Sequence, residues 1–471
     1  MPPEEFRRLA HQAADWMADF LANVGRHPVL PRVEPGATQA ALPAQAPEQG
    51  EEMDDVLADF ERLIVPSLTH WNHPGFLAYF ATSASGPGIL GEMLAATVNP
   101  NGMLWRTSPA STELEQVVLH WLWQLLGLPD QCFGVIHDTA STATFHAVAA
   151  ARETLDLPVR TRGLSGAPTL VLYTSEQAHN SVEKAAMSLG VGLENVRKIE
   201  VDAEYRMKPE ALDAAITADL LGGRRPFCVV ATVGTTAATA IDPVPKIADI
   251  CRRRRLWLHV DAAYGGSAAV VPEMSHVLAG CDRADSLVVN PHKWLFTPLD
   301  LSALYCRRPE ILRRAFSLVP DFLTTPEDAQ VVNLMDYGIP LGRRFRALKL
   351  WFVLRYFGRE GIIANIREHL RLARSVAACL AEHEDFELLA PLTFSTVCFR
   401  FHPTGVSETQ LERLNRRLLE AVNASGRFFL SHAVLRGRFT LRLAVGNIRT
   451  TQEHIDQAWE LIRFKAREMT L

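Results

Sequence analysis

Between residues 140 and 300 the chain alternates short apolar, β-rich runs with helical stretches, and this alternation restricts the fold more than any other feature. The runs are 169–173, 227–232, 256–260 and 286–290; the helical stretches are 140–154, 180–189, 208–219 and 243–255. Strands that read as continuous apolar segments are covered on both faces. The pattern therefore predicts an α/β fold whose mostly parallel sheet carries helices on either side. Beyond a long helix near 343–357 the order changes. A helix over 361–382, a strand over 397–401, a helix over 408–423, a strand over 439–443 and a last helix over 451–467 predict a smaller α+β domain.

The N-terminal region follows neither pattern. Phe6, Leu9, Ala10, Ala13, Met17, Phe20, Leu21 and Val24 recur at helical spacing, and a second amphipathic stretch covers 51–65. Between them, Pro28, Pro31, Pro35, Pro43 and Pro47 predict a strap without helix. Two helices on a strap have no core of their own, so they must pack on the main domain or on a second subunit. With 471 residues, more than one core is expected. The expected division is a helical segment over 1–85, a large domain over 86–350 and a small one over 351–471.

A formal charge of −5 gives no reason to expect nucleic acid or an anionic membrane as partner. The basic run Arg252 to Arg255 reads as the solvated end of a helix before a strand. Seven cysteines, an odd number without a CxxC pair, suit thiols in a reducing compartment. The start, MPPEEFRRLAHQ, is acidic where a secretory leader is basic and then apolar, and residues 227–241 are too polar and too short to span a bilayer. A cytoplasmic protein is expected. No HExxH and no Cys/His cluster at ligand spacing is found, so no metal site is expected.

Four segments carry chemistry, each where a strand meets a loop. Asn290-Pro291-His292-Lys293-Trp294 closes an apolar strand, where open α/β sheets present ligands. A desolvated lysine there loses its proton more readily and can condense with an aldehyde. Taken alone, it could equally be an ordinary surface lysine. Asp261 ends the run Leu258-His259-Val260; it is either a helix cap or the partner of a buried cation. The ring nitrogen of pyridoxal phosphate (PLP) is such a cation, and its protonation makes the ring an electron sink. His137-Asp138-Thr139-Ala140-Ser141 leads into a helix whose first N–H groups can hold a phosphate or merely be capped. His179, past the strand 169–173, could lie flat on a planar ring or be structural. Gly234-Thr235-Thr236 offers one further contact.

In this order, the segments resemble the group II PLP-dependent decarboxylases, most closely the aromatic-L-amino-acid decarboxylases. The resemblance runs nearly end to end, through Thr69-His70-Trp71, Phe76 to Phe80, SPASTELE (108–115), SEQAHNSVEKA (175–185), LWLHVDAAYGGSA (256–268), NPHKW (290–294) and IPLGRRFRALKLWFVLR (339–355). It implies the type I PLP fold and a homodimer with active sites at the subunit interface, the N-terminal helices wrapping the partner. It implies that Lys293 anchors PLP, that Asp261 meets the ring nitrogen, that His179 stacks on the ring and that Ala263 and His292 contact it. Thr139, Ala140 and Ser141 would hold the phosphate, with Asn290 and Thr236 close by. Trp71, Tyr79, Phe80, Thr82, Asn101, Met103 and Gly342 would border the substrate. An aminotransferase on the same fold and a PLP-binding regulator are the competing readings; SPASTELE and IPLGRRF speak against the first, and the short acidic N-terminal region against the second.

One position departs from the family. Counting on 29 residues from Lys293, where the resemblance implies a loop tyrosine, arrives at Phe322. Phenylalanine has no O–H with which to protonate the carbon that loses CO2. At this position it resembles the aromatic acetaldehyde synthases, so amine and aldehyde are both open as products.

Overall fold

The computed structural model describes residues 1–319 and 323–469. Among them are twelve strands: β1 (Phe76–Leu77), β2 (Phe133–His137), β3 (Leu170–Ser175), β4 (Val196–Ile199), β5 (Arg225–Thr232), β6 (Trp257–Asp261), β7 (Ser286–Val289), β8 (Ser302–Cys306), β9 (Phe386–Leu388), β10 (Thr396–Phe401), β11 (Phe429–Leu435) and β12 (Arg438–Ala444). The four apolar runs are β3, β5, β6 and β7; β3, β6 and β7 are buried along their whole length. They lie in a seven-stranded sheet of order β2-β8-β7-β6-β5-β3-β4. From β7 to β4 every pairing is parallel, and β8 runs antiparallel to both β2 and β7. The helix Ala140–Glu153 lays Ala143, Ala147, Val148 and Ala150 on Leu172, Val230, Val288 and Leu304. Small side chains on that face let helix and sheet approach closely, as dense core packing requires.

The chain forms two compact units. One comprises residues 1–81, 378–387 and 399–471; the other comprises 82–377 and 388–398 and holds the seven-stranded sheet. The sequence places boundaries at 85/86 and 350/351, whereas the units divide at 81/82 and 377/378. A second sheet, of order β1-β11-β12-β10-β9, is built mainly from the first unit. The expected helices at 343–357 and 361–382 are the two helices of the span Arg346–Ala381, parted by a kink at Gly358, whose φ of 58° and ψ of −179° leave the helical path.

In the first unit the helix Pro3–Asn23 is followed by the proline-rich strap, which corrects one expectation: the strap contains a short helix, Ala37–Ala41. Five residues fit between Pro35 and Pro43 without placing a proline inside the helix. The second amphipathic stretch is the helix Met53–Asp59, continued by tighter and wider turns to Ser67. The basic run closes the helix Val244–Arg254, with Arg255 in the left-handed region at φ 57°. All seven cysteines are free thiols, five of them buried. No helix among the described residues is long and apolar enough to cross a membrane.

Candidate active site

In open parallel sheets, ligands collect outside the carboxyl ends of the strands, and here three neighbouring strands deliver polar groups to that edge. Asp261 is the last residue of β6 and pairs in register with Thr232 of β5 and Val288 of β7. Its side chain is buried; Oδ1 accepts a hydrogen bond from the Ala263 N–H at 3.0 Å, and Oδ2 has no hydrogen-bond partner among the described residues. Directly after β7, Asn290 opens the single-turn helix Pro291–Trp294, which carries the half-buried Lys293. The turn is held by Trp294, whose ring stacks on Tyr264 at 4.8 Å and whose Nε1–H donates to His369 Nδ1 at 2.9 Å. A lysine on a turn pinned in this way has its backbone fixed.

His179 lies in the loop after β3. Its Nδ1 accepts from the Ser181 N–H at 3.1 Å, which puts the ring proton on Nε2. Burial pulls its pKa below the ordinary histidine value; the charge of Asp261 opposes the shift and that of Lys293 adds to it. His179, Asp261 and Lys293 are thus close enough for their charges to act on one ring. Beside Lys293, His292 is buried, and burial together with the Lys293 charge takes its pKa down to about 3. It is neutral at physiological pH. Nδ1 of His292 accepts from the Leu301 N–H at 2.9 Å, and Nε2 lies 3.2 Å from Asn290 Nδ2, a donor as well, while Asn290 Oδ1 accepts from Ser302 Oγ at 2.7 Å.

β2 ends at His137 and leads into the helix start expected to hold a phosphate. Thr139 caps the helix Ala140–Glu153, its Oγ1 accepting from the Thr142 N–H at 3.4 Å, and its own N–H is held by Asp138 Oδ1 at 2.6 Å. The N–H groups of Ala140 and Ser141, in the first turn, have no carbonyl one turn earlier in the helix to receive them. After β5, Gly234 adopts φ 89°, and a Cβ there would stand 3.0 Å from the Gly265 nitrogen. Thr235 locks the turn by accepting from the Ala240 N–H at 2.9 Å, and Thr236 is exposed beyond it. A carboxylate with one unpartnered oxygen, a primary amine, free N–H groups at a helix start and neutral imidazoles form the donor set of a flat pyridine phosphate. The residues present fit PLP.

Of the residues assigned to the substrate, Asn101 and Gly342 are neighbours: Asn101 Oδ1 accepts from the Arg343 N–H at 3.0 Å, and its side chain lies 3.8 Å from where a Cβ on residue 342 would stand. Both border a cleft of about 620 Å³. Met103 packs with Leu104, Leu323 and Met335, and Thr82 is half-buried in the same unit. Trp71, Tyr79 and Phe80 belong to the first unit. There Trp71 stacks on Tyr79 at 6.0 Å, and the Arg442 guanidinium sits 4.5 Å from the Phe80 ring centre. Phe322 lies outside the described residues.

Sequence reading missed the groups that brace these elements. Arg343 donates to Glu115 Oε1 and to the Ile136 carbonyl, both at 2.7 Å, and Arg346 Nε donates to Asp300 Oδ1 at 2.7 Å. The available signal was the run Arg343-Arg344-Phe345-Arg346, too basic to enter a core without partners.

A profile of the pyridoxal-dependent decarboxylase conserved domain matches residues 35–402. Tryptophan decarboxylase 2 of Oryza sativa subsp. japonica is 41% identical over 99% of this chain and 95% of its own length. Phenylacetaldehyde synthase of Arabidopsis thaliana is 40% identical over 99% and 96%. Among solved structures, Oryza sativa TDC with PLP and tryptamine superimposes with a TM-score of 0.96 at 36% identity, covering 100% of this chain and 99% of that one. Rhodiola rosea 4-hydroxyphenylacetaldehyde synthase does so at 0.93 and 35%, with the same coverage.

Proposed function

This chain belongs to the pyridoxal-dependent decarboxylases, and on that premise we propose that it removes the α-carboxylate of an aromatic L-amino acid, of the Trp, Phe, Tyr and Dopa class, to give the arylalkylamine and CO2. Its fold is the type I fold of PLP enzymes and its cofactor is PLP. The observation that carries the reading is the meeting of Asp261, Lys293 and His179 at one sheet edge. Relatives of both the tryptophan and tyrosine decarboxylase kinds, at 41% identity each, support the aromatic substrate class.

When bound, PLP supplies an electron-poor pyridine ring that takes up the electron pair left by departing CO2. Lys293 anchors it through the amine, and the open Oδ2 of Asp261 keeps a proton on the ring nitrogen. Thr139, Ala140 and Ser141 hold the phosphate with Asn290 near, while Thr236 and Ala263 border the ring. His179 covers one ring face without charge, and His292 contacts the cofactor from beside Lys293. Trp71, Tyr79, Phe80, Thr82, Asn101, Met103 and Gly342 bound the aromatic side chain. The enzyme works as a homodimer in the cytoplasm: the exposed apolar stripe of the N-terminal helices supports the first statement, and free, mostly buried thiols support the second.

Phe322 favours a second reading of the product. Without a hydroxyl there, the carbon that loses CO2 gains its proton slowly, and dioxygen competes for the electron pair. The balanced outcome consumes the amino acid, O2 and water and yields the aromatic acetaldehyde, CO2, ammonia and hydrogen peroxide. The test is incubation with PLP and each aromatic L-amino acid under oxygen, with CO2, amine, aldehyde and peroxide all measured. CO2 release with amine supports the first reading, and aldehyde with equimolar peroxide supports the second. No CO2 from any of these substrates overturns both. Under the second reading, Phe322→Tyr moves product from aldehyde toward amine.

A further inference from the structure

We infer that Arg346 is a positioning residue for His292, acting through Asp300; the inference rests on the placement of His292 beside the cofactor. Arg346 begins the first of the two helices in Arg346–Ala381, and its guanidinium contacts Asp300 twice, Nε to Oδ1 at 2.7 Å and Nη2 to Oδ2 at 3.5 Å. Both side chains are mostly buried, at 18% and 27% exposure. Burial by itself pushes the Asp300 carboxyl up, but the Arg346 hydrogen bond, the Arg346 charge and that of Lys349 outweigh it and hold the pKa below the ordinary value. Asp300 is therefore ionised, and the contact is a charge pair in a partly dry setting, where geometry is tightly held.

The next two residues do the holding. Leu301 N–H donates to His292 Nδ1 and Ser302 Oγ donates to Asn290 Oδ1. Three consecutive residues thus form one clamped and two clamping positions, held by the first residue of a helix. Nε2 of the same ring faces a second donor, Asn290 Nδ2 at 3.2 Å, so the Leu301 and Asn290 contacts compete for the one acceptor nitrogen of the neutral ring, and the position of Leu301 sets the balance between its tautomers. Remove the guanidinium, and Asp300 is left partly desolvated, with Lys349 as the remaining cation named above. The segment then relaxes toward water, Leu301 withdraws, and His292 is free in both rotation and tautomer. Arg343, on the same run, braces β2 through Ile136 instead, so the two arginines serve different ligand elements.

The test uses the PLP-loaded enzyme and its fastest aromatic substrate. Arg346→Gln and Asp300→Asn should each lower kcat about 10²-fold, the cost of a misplacement near 1 Å. KM and the PLP dissociation constant should change by less than about 3-fold, since the phosphate element is braced elsewhere. The double variant should be no slower than either single one, because both break the same link. Arg346→Lys, which keeps the charge, should recover about 10-fold. A second readout needs neither PLP nor turnover: nitrogen-15 histidine NMR of the cofactor-free protein, with the His292 signals identified by their loss in His292→Gln. Arg346→Gln should shift the His292 tautomer ratio away from its wild-type value, toward a proton on Nδ1, where the Leu301 contact is lost. If Arg346→Gln does not fold, Arg346→Lys and Asp300→Asn carry the test. A kcat within about 3-fold of wild type in folded variants, additive losses, or an unchanged tautomer overturns the inference. If wild type releases no CO2, the functional reading fails, and the tautomer still decides the positioning.

Discussion

In β3, β6, β7 and β8 every residue is buried, whereas in the helix Pro3–Asn23 only Leu9 is, and in Met53–Asp59 none is. The two N-terminal helices touch each other, through Trp16 against Phe60 at 5.1 Å and an Arg8–Asp54 ion pair at 2.8 Å. Phe6, Met53 and Val56 nevertheless stay exposed. Helix stability in proteins comes mainly from burying an apolar face. The sheet has completed its core within the chain, and the N-terminal helices have not, so their stripe is the natural place for a second subunit. Anchoring of the cofactor at the sheet edge should therefore be separable from assembly at the N-terminus.

The largest effect belongs to the sheet edge. Lys293→Ala should abolish the visible absorption of bound PLP and reduce CO2 release by at least about 10³-fold, with little change in Tm. The residue is half-buried on a turn held by Trp294, so losing its amine leaves the core untouched. An unchanged spectrum would remove Lys293 as the anchor. The complementary experiment charges the other region. Met53→Glu with Val56→Glu should weaken the dimer roughly 10²-fold or more, as hot-spot losses do, and sedimentation should report monomers that keep their secondary structure. A wild type that sediments as a monomer at every concentration would break the comparison.

Acid should separate the regions again. Burial lowers His146 and His259 to about 4 and His292 to about 3, and takes His137 well below the usual value; in the first unit His73 is lowered to about 4. These rings are neutral when folded but take up protons below pH 6.5 when unfolded. Their contribution is fully present above 6.5 and is lost as the pH falls through the window from 6.5 to 4. A shift such as that of His259 corresponds to about 3 kcal/mol at most. Asp242 works the other way: burial raises it to about 6, so the folded state binds that proton first and gains stability as the pH falls below 6. Burial raises Asp285 in the same direction, so two carboxyls stand against these five imidazoles. The urea midpoint should fall between pH 7 and 5, and a flat profile would show that these rings do not govern acid stability.

Residues that announce themselves singly were legible in the sequence. Continuous apolar runs gave away β3, β5, β6 and β7, and a lone polar group at the end of such a run marked Asp261 and Lys293. β4, with Arg197 and Lys198 in its four residues, is an edge strand that no hydrophobic pattern reveals. β2 contains Gly134, where a Cβ would press on Leu119 at 3.0 Å, so its glycine reflects close packing and not a turn. Pairs are harder than single residues. Arg346 and Asp300 are 46 positions apart, and His137 stacks on His146 at 4.2 Å only because a helix folds back over the strand. Neither contact has a local signature, since each depends on two elements having already found each other.

Helix ends give the smallest and sharpest version of the comparison. The helix Glu408–Ala424 begins with Ser407, whose N–H is accepted by Gln410 Oε1 at 3.1 Å, and Gln452–Glu468 begins with Thr451, whose N–H is accepted by His454 Nδ1 at 3.1 Å. Pro3–Asn23 and Met53–Asp59 start with no side-chain cap. Gln410→Ala should cost about 0.5–1 kcal/mol, a fall of about 1 °C in Tm for a chain of this size. Glu52→Ser, which offers the helix Met53–Asp59 a better cap, should leave Tm unchanged. A short helix with no buried residue opens locally, at a free energy well below that of global unfolding, and a gain there does not reach the main transition. A rise in Tm as large as the fall caused by Gln410→Ala would mean that the N-terminal helices unfold together with the core, and the contrast drawn from their exposed stripe would no longer hold.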